Sequence, residues 1–202
     1  ENPVRYVRLA AVVDLITDEP TQVILGFYDG TKSWRVLAEP QFKTVHHVAA
    51  AGMKPNRLHS IQVILRDAAG NVTVVPNPLS FQTPPLPPGF PPLQVTVPAH
   101  GALEPGNTLF CARYDTPGGG PFGSWIVMLD ELGEVVWFYR NVDLLPTNIE
   151  RTRSGTFVFH NENVLYEIDL LGNLLGSWYA SNLGTHGAPP GSIAVATDTF
   201  HH

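Results

Sequence analysis

Residues 126–136 have the sequence Ile-Val-Met-Leu-Asp-Glu-Leu-Gly-Glu-Val-Val, and residues 165–175 have the sequence Leu-Tyr-Glu-Ile-Asp-Leu-Leu-Gly-Asn-Leu-Leu. Asp130 recurs 39 residues later as Asp169, and each aspartate is followed three residues on by a glycine. Both copies place Asp-x-x-Gly between two apolar runs, and glycine accepts the positive φ that a tight turn requires. The repeat therefore predicts two strand–turn–strand units.

A glycine-led apolar run precedes each copy, at residues 106–110 and again at residues 155–159. Units of roughly 40 to 50 residues built from short antiparallel strands are typical of β-propeller blades. Two blades are visible, and we expect a third to begin near Ser192. Because a propeller ring needs roughly four to eight blades and an open ring exposes strand edges, the sequence predicts an incomplete propeller. Either the chain is a fragment of a longer parent, or another chain supplies the missing blades.

The composition excludes several classes of protein. The chain has 202 residues, 44% of them hydrophobic and only 15% charged, with 19 prolines and 18 glycines, as in a folded and turn-rich chain. The net charge of −6 comes without a basic cluster, so nucleic acid is not expected as a partner. The sequence has no run of 18 apolar residues, which a membrane-spanning helix would need. The start Glu1-Asn2-Pro3 does not resemble a signal peptide. Cys111 is the only cysteine, which excludes an intrachain disulfide.

The first 83 residues have a different pattern from the repeats. Short runs of alternating apolar and polar residues are separated by turn signals, and no stretch has a helical period. About seven short strands at this spacing predict an immunoglobulin-like or fibronectin III-like β-sandwich over residues 1–83. Residues 84–92 contain six prolines, which lack a backbone donor, and so predict a stiff linker. The propeller blades are then expected over residues 93–202. The overall prediction is an all-β chain.

Histidines are the candidates for chemistry. His201 and His202 follow a run that looks like a strand, so only one of them can face a propeller's central channel while the other packs between blades. Without further context, this pair is better interpreted as structural or as the stub of a tag. His46-His47 in the sandwich and His186 in a loop are weaker candidates, interpreted as structural and exposed respectively. For Trp125, Trp137, Trp178 and Tyr179, packing between blades is preferred over substrate stacking.

Several segments together resemble the bacterial arylsulfotransferase (aryl-sulfate sulfotransferase) family in wording, order and spacing, over nearly the whole chain. That family has an N-terminal immunoglobulin-like domain followed by a six-bladed propeller, and a Phe-His-His-Asp stretch begins an inner strand near the third blade. The segments that carry the resemblance are Gly52-Met53-Lys54-Pro55-Asn56 with Ile61-Gln62-Val63, residues 81–87, residues 126–139, residues 163–175 and Thr199-Phe200-His201-His202.

The resemblance implies transfer of a sulfuryl group from an aryl sulfate to a phenolic acceptor through a transiently sulfated histidine. Imidazole is a good nitrogen nucleophile near neutral pH, and no nucleotide donor, cofactor or metal is implied. In the family the nucleophile and its arginine partner lie in later blades. His201 or His202 would therefore bind the sulfuryl group or transfer a proton, and the 202-residue chain alone is expected to be inactive. A periplasmic or secreted location follows from the same resemblance.

A second hypothesis stays open beside the enzyme. The same architecture could serve as a non-catalytic extracellular binding or structural module, with its propeller completed by another chain or by assembly. Finding an aspartate directly after His202, with a further histidine and an arginine in later blades, would favour the enzyme.

Overall fold

The computed structural model describes residues 5–96, 106–114, 123–183, 188–198 and 200. Within them the secondary structure consists of β-strands and one short 3₁₀ helix, which confirms the prediction of an all-β chain. The chain divides into two compact units, Glu1–Leu86 and Pro87–His202, and the division falls inside the proline-rich stretch 84–92.

Across the described residues, no helix combines the length and the apolar character needed to cross a membrane.

The first unit is one sheet of five antiparallel strands in the order β2-β1-β3-β4, with β5 pairing along β3. The strands are β1 Ala11–Tyr28, β2 Ser33–Ala50, β3 Leu58–Asp67, β4 Val72–Val74 and β5 Leu79–Gln82. The structure has five strands in the described part of this unit instead of the expected seven or so short ones, and the residues on either side of Pro20 belong to the single long strand β1. Pro20 interrupts the sequence pattern there but lies where the β1–β2 register shifts, between Ile16 and Thr21, and needs no ladder hydrogen bond.

Both ends of the long β1–β2 hairpin contribute to one core. Val23, Leu25 and Phe27 share a buried cluster with Val13 and Ala50, from the other end of the hairpin. A straight strand would separate Val13 from Leu25 by about 40 Å, at roughly 3.3 Å per residue. We infer that the hairpin bends at its irregular register so that one continuous sheet encloses its own core.

The described residues of the second unit form two sheets. The β6–β8 sheet is antiparallel, and the β9–β13 sheet is antiparallel except that β13 runs parallel to β12. The elements are β6 Thr108–Tyr114, β7 Gly123–Leu129, β8 Val135–Tyr139, β9 Thr147–Arg151, β10 Phe157–Asn161, β11 Val164–Ile168, β12 Leu174–Ala180, the 3₁₀ helix Ser181–Leu183 and β13 Ile193–Val195. Because the two strands are parallel, β13 starts at the same end of the sheet as β12, which a tight hairpin turn would not allow.

The two Asp-x-x-Gly turns have the same construction. Asp130 Oδ1 accepts hydrogen bonds from the N–H groups of Leu132 and Glu134, at 3.0 and 2.9 Å. Asp169 Oδ1 accepts them from Leu171 and Asn173, at 2.9 and 2.8 Å. The glycines that end the two turns have φ values of 78° and 88°, where other residues are strained. The predicted hairpins β7–β8 and β11–β12 are thus confirmed.

Candidate functional site

Large aromatic side chains join the two sheets of the second unit. The rings of Trp137 on β8 and Phe157 on β10 lie 4.8 Å apart, and those of Tyr139 and Phe159 lie 5.7 Å apart. Trp137 Nε1 donates to Leu170 O in the β11–β12 turn at 2.9 Å, which satisfies the one polar atom of a fully buried indole. One face of β10 is therefore committed to packing against the β6–β8 sheet.

His160 lies on the opposite face of β10, because neighbouring strand residues alternate in direction. It is buried, and its ring lies 6.0 Å from the ring of Phe200 at an interplanar angle of 69°. Phe200 immediately precedes the predicted site residues His201 and His202, which lie outside the described residues. Sequence reasoning missed His160. The available signal was the dipeptide Phe159-His160, which recurs as Phe200-His201.

Hydrogen bonds from both sheets hold the chain segment that leads into β9. Leu145 N donates to Asn161 Oδ1 at 2.6 Å, and the buried Ser124 hydroxyl donates to Pro146 O at 2.9 Å. Asn161 ends β10 and precedes Glu162, which has a φ of 54°. The end of β10 that carries His160 is thus fixed by side-chain contacts as well as by the ladder.

The aromatic candidates of the second unit divide into two groups. Trp125 and Trp137 are completely buried, which supports packing over substrate stacking, while a position between propeller blades stays a prediction. Trp178 is half-buried, and its indole lies directly over Gly176, where a Cβ atom would approach it to 2.7 Å. Phe90, in the predicted linker, packs against Trp125 with ring centroids 5.0 Å apart, so the end of that stretch belongs to the second unit.

Among the described residues, the carboxylate whose pKa is most strongly perturbed belongs to the first unit, at the turn after β1. Asp29 is buried, which opposes its ionisation, but hydrogen bonds from Lys32 N, from the Thr31 hydroxyl and N–H, and from Arg57 outweigh the burial. Its pKa therefore lies well below the usual range. Arg57 Nη1 donates to Asp29 Oδ2 at 2.8 Å, and Lys54 Nζ lies 3.9 Å from the same oxygen.

His59 and Thr83 complete this cluster. Burial lowers the pKa of His59, whose Nε2 accepts from Lys54 N at 3.3 Å while Nδ1 lies 3.2 Å from Arg57 O. These contacts define a neutral ring with its proton on Nδ1. The Thr83 hydroxyl donates to Lys54 O at 2.6 Å and accepts from Arg57 N at 3.1 Å. Each group faces a protein partner, so the cluster anchors residues 54–57 and is structural.

His46 and His47 point to opposite sides of β2. His46 is buried with Nε2 3.3 Å from the Thr21 hydroxyl, whereas His47 is exposed with Nδ1 2.6 Å from Asp14 Oδ1. This separation supports the structural interpretation of the pair. Among the described residues, no group of three or more histidine, cysteine, aspartate or glutamate side chains is placed to hold a metal ion. His186 lies outside the described residues.

Comparison with known proteins gives no family assignment for this chain. No protein-family model matches the chain, and no curated protein matches it at a significant level.

Proposed function

We propose that this chain is part of an arylsulfotransferase-like protein, in which an immunoglobulin-like sandwich precedes the blades of a β-propeller. The protein transfers a sulfuryl group from a phenolic sulfate ester to a phenol. The observation that carries the proposal is the order of features along the chain. Two hairpins with matching Asp130 and Asp169 turns pack through aromatic residues and precede the Phe-His-His sequence at 200–202.

The chemistry needs two displacements at sulfur. An imidazole nitrogen attacks the ester, an N–S bond forms, and the S–O bond to the leaving phenolate breaks. The acceptor phenol oxygen then attacks the same sulfur, its proton passes to a base, and the imidazole is restored. By the resemblance, the attacking histidine lies outside this chain. His201 or His202 binds the sulfuryl oxygens or transfers the proton.

The contact between Phe200 and His160 supports a distinction between these two histidines. The Phe200 ring packs against the face of β10 that carries His160. Strand β13 ends at Val195, and only the alternation expected from the sequence would place His202 on the same side as Phe200 and His201 on the other. We therefore assign sulfuryl binding to His201 and a packing role to His202.

The test uses the natural protein at its full length, with release of 4-nitrophenol from 4-nitrophenyl sulfate in the presence of phenol. His201→Ala should lower the rate by about 100-fold to 1000-fold, the usual effect of removing a donor to developing charge. His202→Ala should mainly lower the melting temperature. An absence of turnover across a panel of aryl sulfates would exclude the enzyme, and rates unchanged from the wild type in both variants would exclude these residues.

A non-catalytic binding module with the same architecture is the second candidate. It is favoured by an open groove on the first-unit sheet, where the side chains of Ser33, Arg35 and Ser60 have no protein partner among the described residues. Ligand binding in the first unit without turnover of any aryl sulfate would favour this module.

A further inference from the structure

An open groove of about 440 Å³ lies on the face of the first-unit sheet that points away from the core. Leu25, Phe27 and Val63 face the core, so their neighbours Gly26 and Gln62 face the groove. A volume of this size is within the range of small-molecule sites, roughly 300 to 1000 Å³.

Gly26 forms the floor of the groove in the middle of strand β1. It pairs in register with Arg35 on β2 and with Gln62 on β3. A Cβ atom at this position would lie 3.7 Å from Gln62 Cβ and 3.8 Å from Arg35 Cγ, which is ordinary van der Waals contact. Neither crowding nor a positive φ therefore demands glycine here, and the register shifts of β1 lie earlier, before Ile24.

Glycine inside a strand weakens it, and often marks a place where a ligand approaches the backbone. Since packing, bulge and backbone conformation do not account for Gly26, its missing side chain is best explained by the hollow that it leaves. That hollow lies between the side chains of Arg35 and Gln62.

Polar groups without protein partners surround the hollow. Among the described residues, the Arg35 guanidinium and the hydroxyls of Ser33 and Ser60 have no hydrogen-bond or ion-pair partner. Gln62 Nε2 donates to Val75 O at 2.5 Å, which fixes the amide and leaves Oε1 as an acceptor. The groove therefore offers a cation, two hydroxyls and an amide oxygen to a bound molecule.

Tyr28 supplies a fixed aromatic ring beside these groups. The residue is 49% exposed, and its hydroxyl donates to Gly30 O at 2.8 Å, which limits rotation of the side chain. A pre-organised ring of this kind binds flat partners at a low entropic cost.

We propose that this groove binds a sugar ring that carries a carboxylate or a sulfate group. The apolar face of the ring stacks on Tyr28, and the oxyanion pairs with Arg35, whose planar fork matches either group. Ser33, Ser60 and Gln62 bond the sugar hydroxyls. Because the chain carries a net charge of −6, it favours a short ligand with one or two acidic groups over a long polyanion. The proposal is independent of sulfuryl transfer.

The test is an NMR titration of the 202-residue chain with digalacturonate, with N-acetylglucosamine 6-sulfate and with neutral cellobiose. We expect one or both acidic sugars to bind with a dissociation constant on the order of 1 mM, shifting the amide signals of residues 26, 28, 35 and 62. Binding of only one acidic sugar identifies the oxyanion as a carboxylate or a sulfate, and binding of both shows that the groove accepts either group. Cellobiose should bind at least tenfold more weakly, because it lacks a partner for Arg35.

Two variants and one control locate the site. Arg35→Gln should weaken binding at least tenfold. Arg66→Gln should leave it unchanged, because Arg66 lies on the same face of the sheet but is already paired with Gln22 Oε1 at 3.0 Å. Gly26→Ala should fill the hollow, preserve or raise the melting temperature, and also weaken binding at least tenfold.

Four results would overturn the proposal. They are no binding of either acidic sugar, equal binding of cellobiose, unchanged binding in Arg35→Gln, and unchanged binding in the folded Gly26→Ala variant. The proposal would also be overturned if 4-nitrophenyl sulfate shifted the same amide signals and neither acidic sugar did. The ligand would then be an aromatic anion and not a sugar.

Discussion

Replacing Asp29 by asparagine should cost the first unit about 3 kcal/mol of unfolding free energy at pH 7. The amide oxygen of asparagine can still accept from the N–H groups of Thr31 and Lys32, at the Oδ1 position. The amide nitrogen would replace Oδ2 and present a donor to Arg57 Nη1, which now donates at 2.8 Å. Breaking a buried ion pair by removing one partner costs about 3 to 5 kcal/mol. We expect the lower end, because the Arg57 side chain is 33% exposed and can regain water.

The pH dependence tests the cause of this loss. Since the pKa of Asp29 is lowered in the folded state, the unfolded chain binds more protons between the folded pKa and the usual value of about 3.9. The stabilisation by the carboxylate is therefore complete above about pH 4 and declines as the pH falls below it. The difference between the wild type and Asp29→Asn should be constant from about pH 5 to pH 7 and shrink in stronger acid.

The assay is urea unfolding of the whole chain, followed through the fluorine signal of 5-fluorotryptophan at Trp34. Trp34 stacks on Phe27 in the core of the first unit and so reports on that unit alone. Asp67→Asn is the matched control, because Asp67 also accepts backbone and side-chain hydrogen bonds in a turn but has no ion-pair partner among the described residues. Its cost should stay below about 1 kcal/mol. Equal costs for the two variants, or a cost for Asp29→Asn that does not change in acid, would refute the reasoning.

Two further outcomes are expected from the buried contacts. Because the pKa of His59 is lowered in the folded state, this histidine is protonated first in the unfolded chain as the pH falls below about 6.5. Protonation therefore favours the unfolded chain, and the free energy of unfolding should decline by up to about 1.4 kcal/mol per pH unit. In His59→Gln, urea unfolding between pH 7 and pH 5 should lack that decline. Phe90→Ala should destabilise the second unit by about 2 kcal/mol, because it removes ring contacts with Trp125 and Phe138. Phe90→Leu should destabilise it by less than half as much. Equal losses of stability for the two variants in thermal unfolding would contradict this.

The features that could be predicted from the sequence are those that a few neighbouring residues decide. Asp130 and Asp169 each bond to N–H groups two and four residues further on, so the turn chemistry is visible in the chain itself. The all-β class follows in the same way from alternation and from the absence of a helical period. The histidines at 201 and 202 rest on the resemblance and remain predictions.

The tertiary structure decided whatever depends on strand register and on contacts between distant residues. Pro20 looks like the end of a strand, yet β1 continues through it, because the shifted register with β2 removes the need for its missing donor. The polar cluster joins Asp29 to Arg57 and to Thr83, which are far apart in the sequence and would each be unremarkable alone. The hollow over Gly26 exists because three strands align there. Pairing between strands is a property of the folded sheet, set by which faces are buried together, and a linear pattern does not contain it.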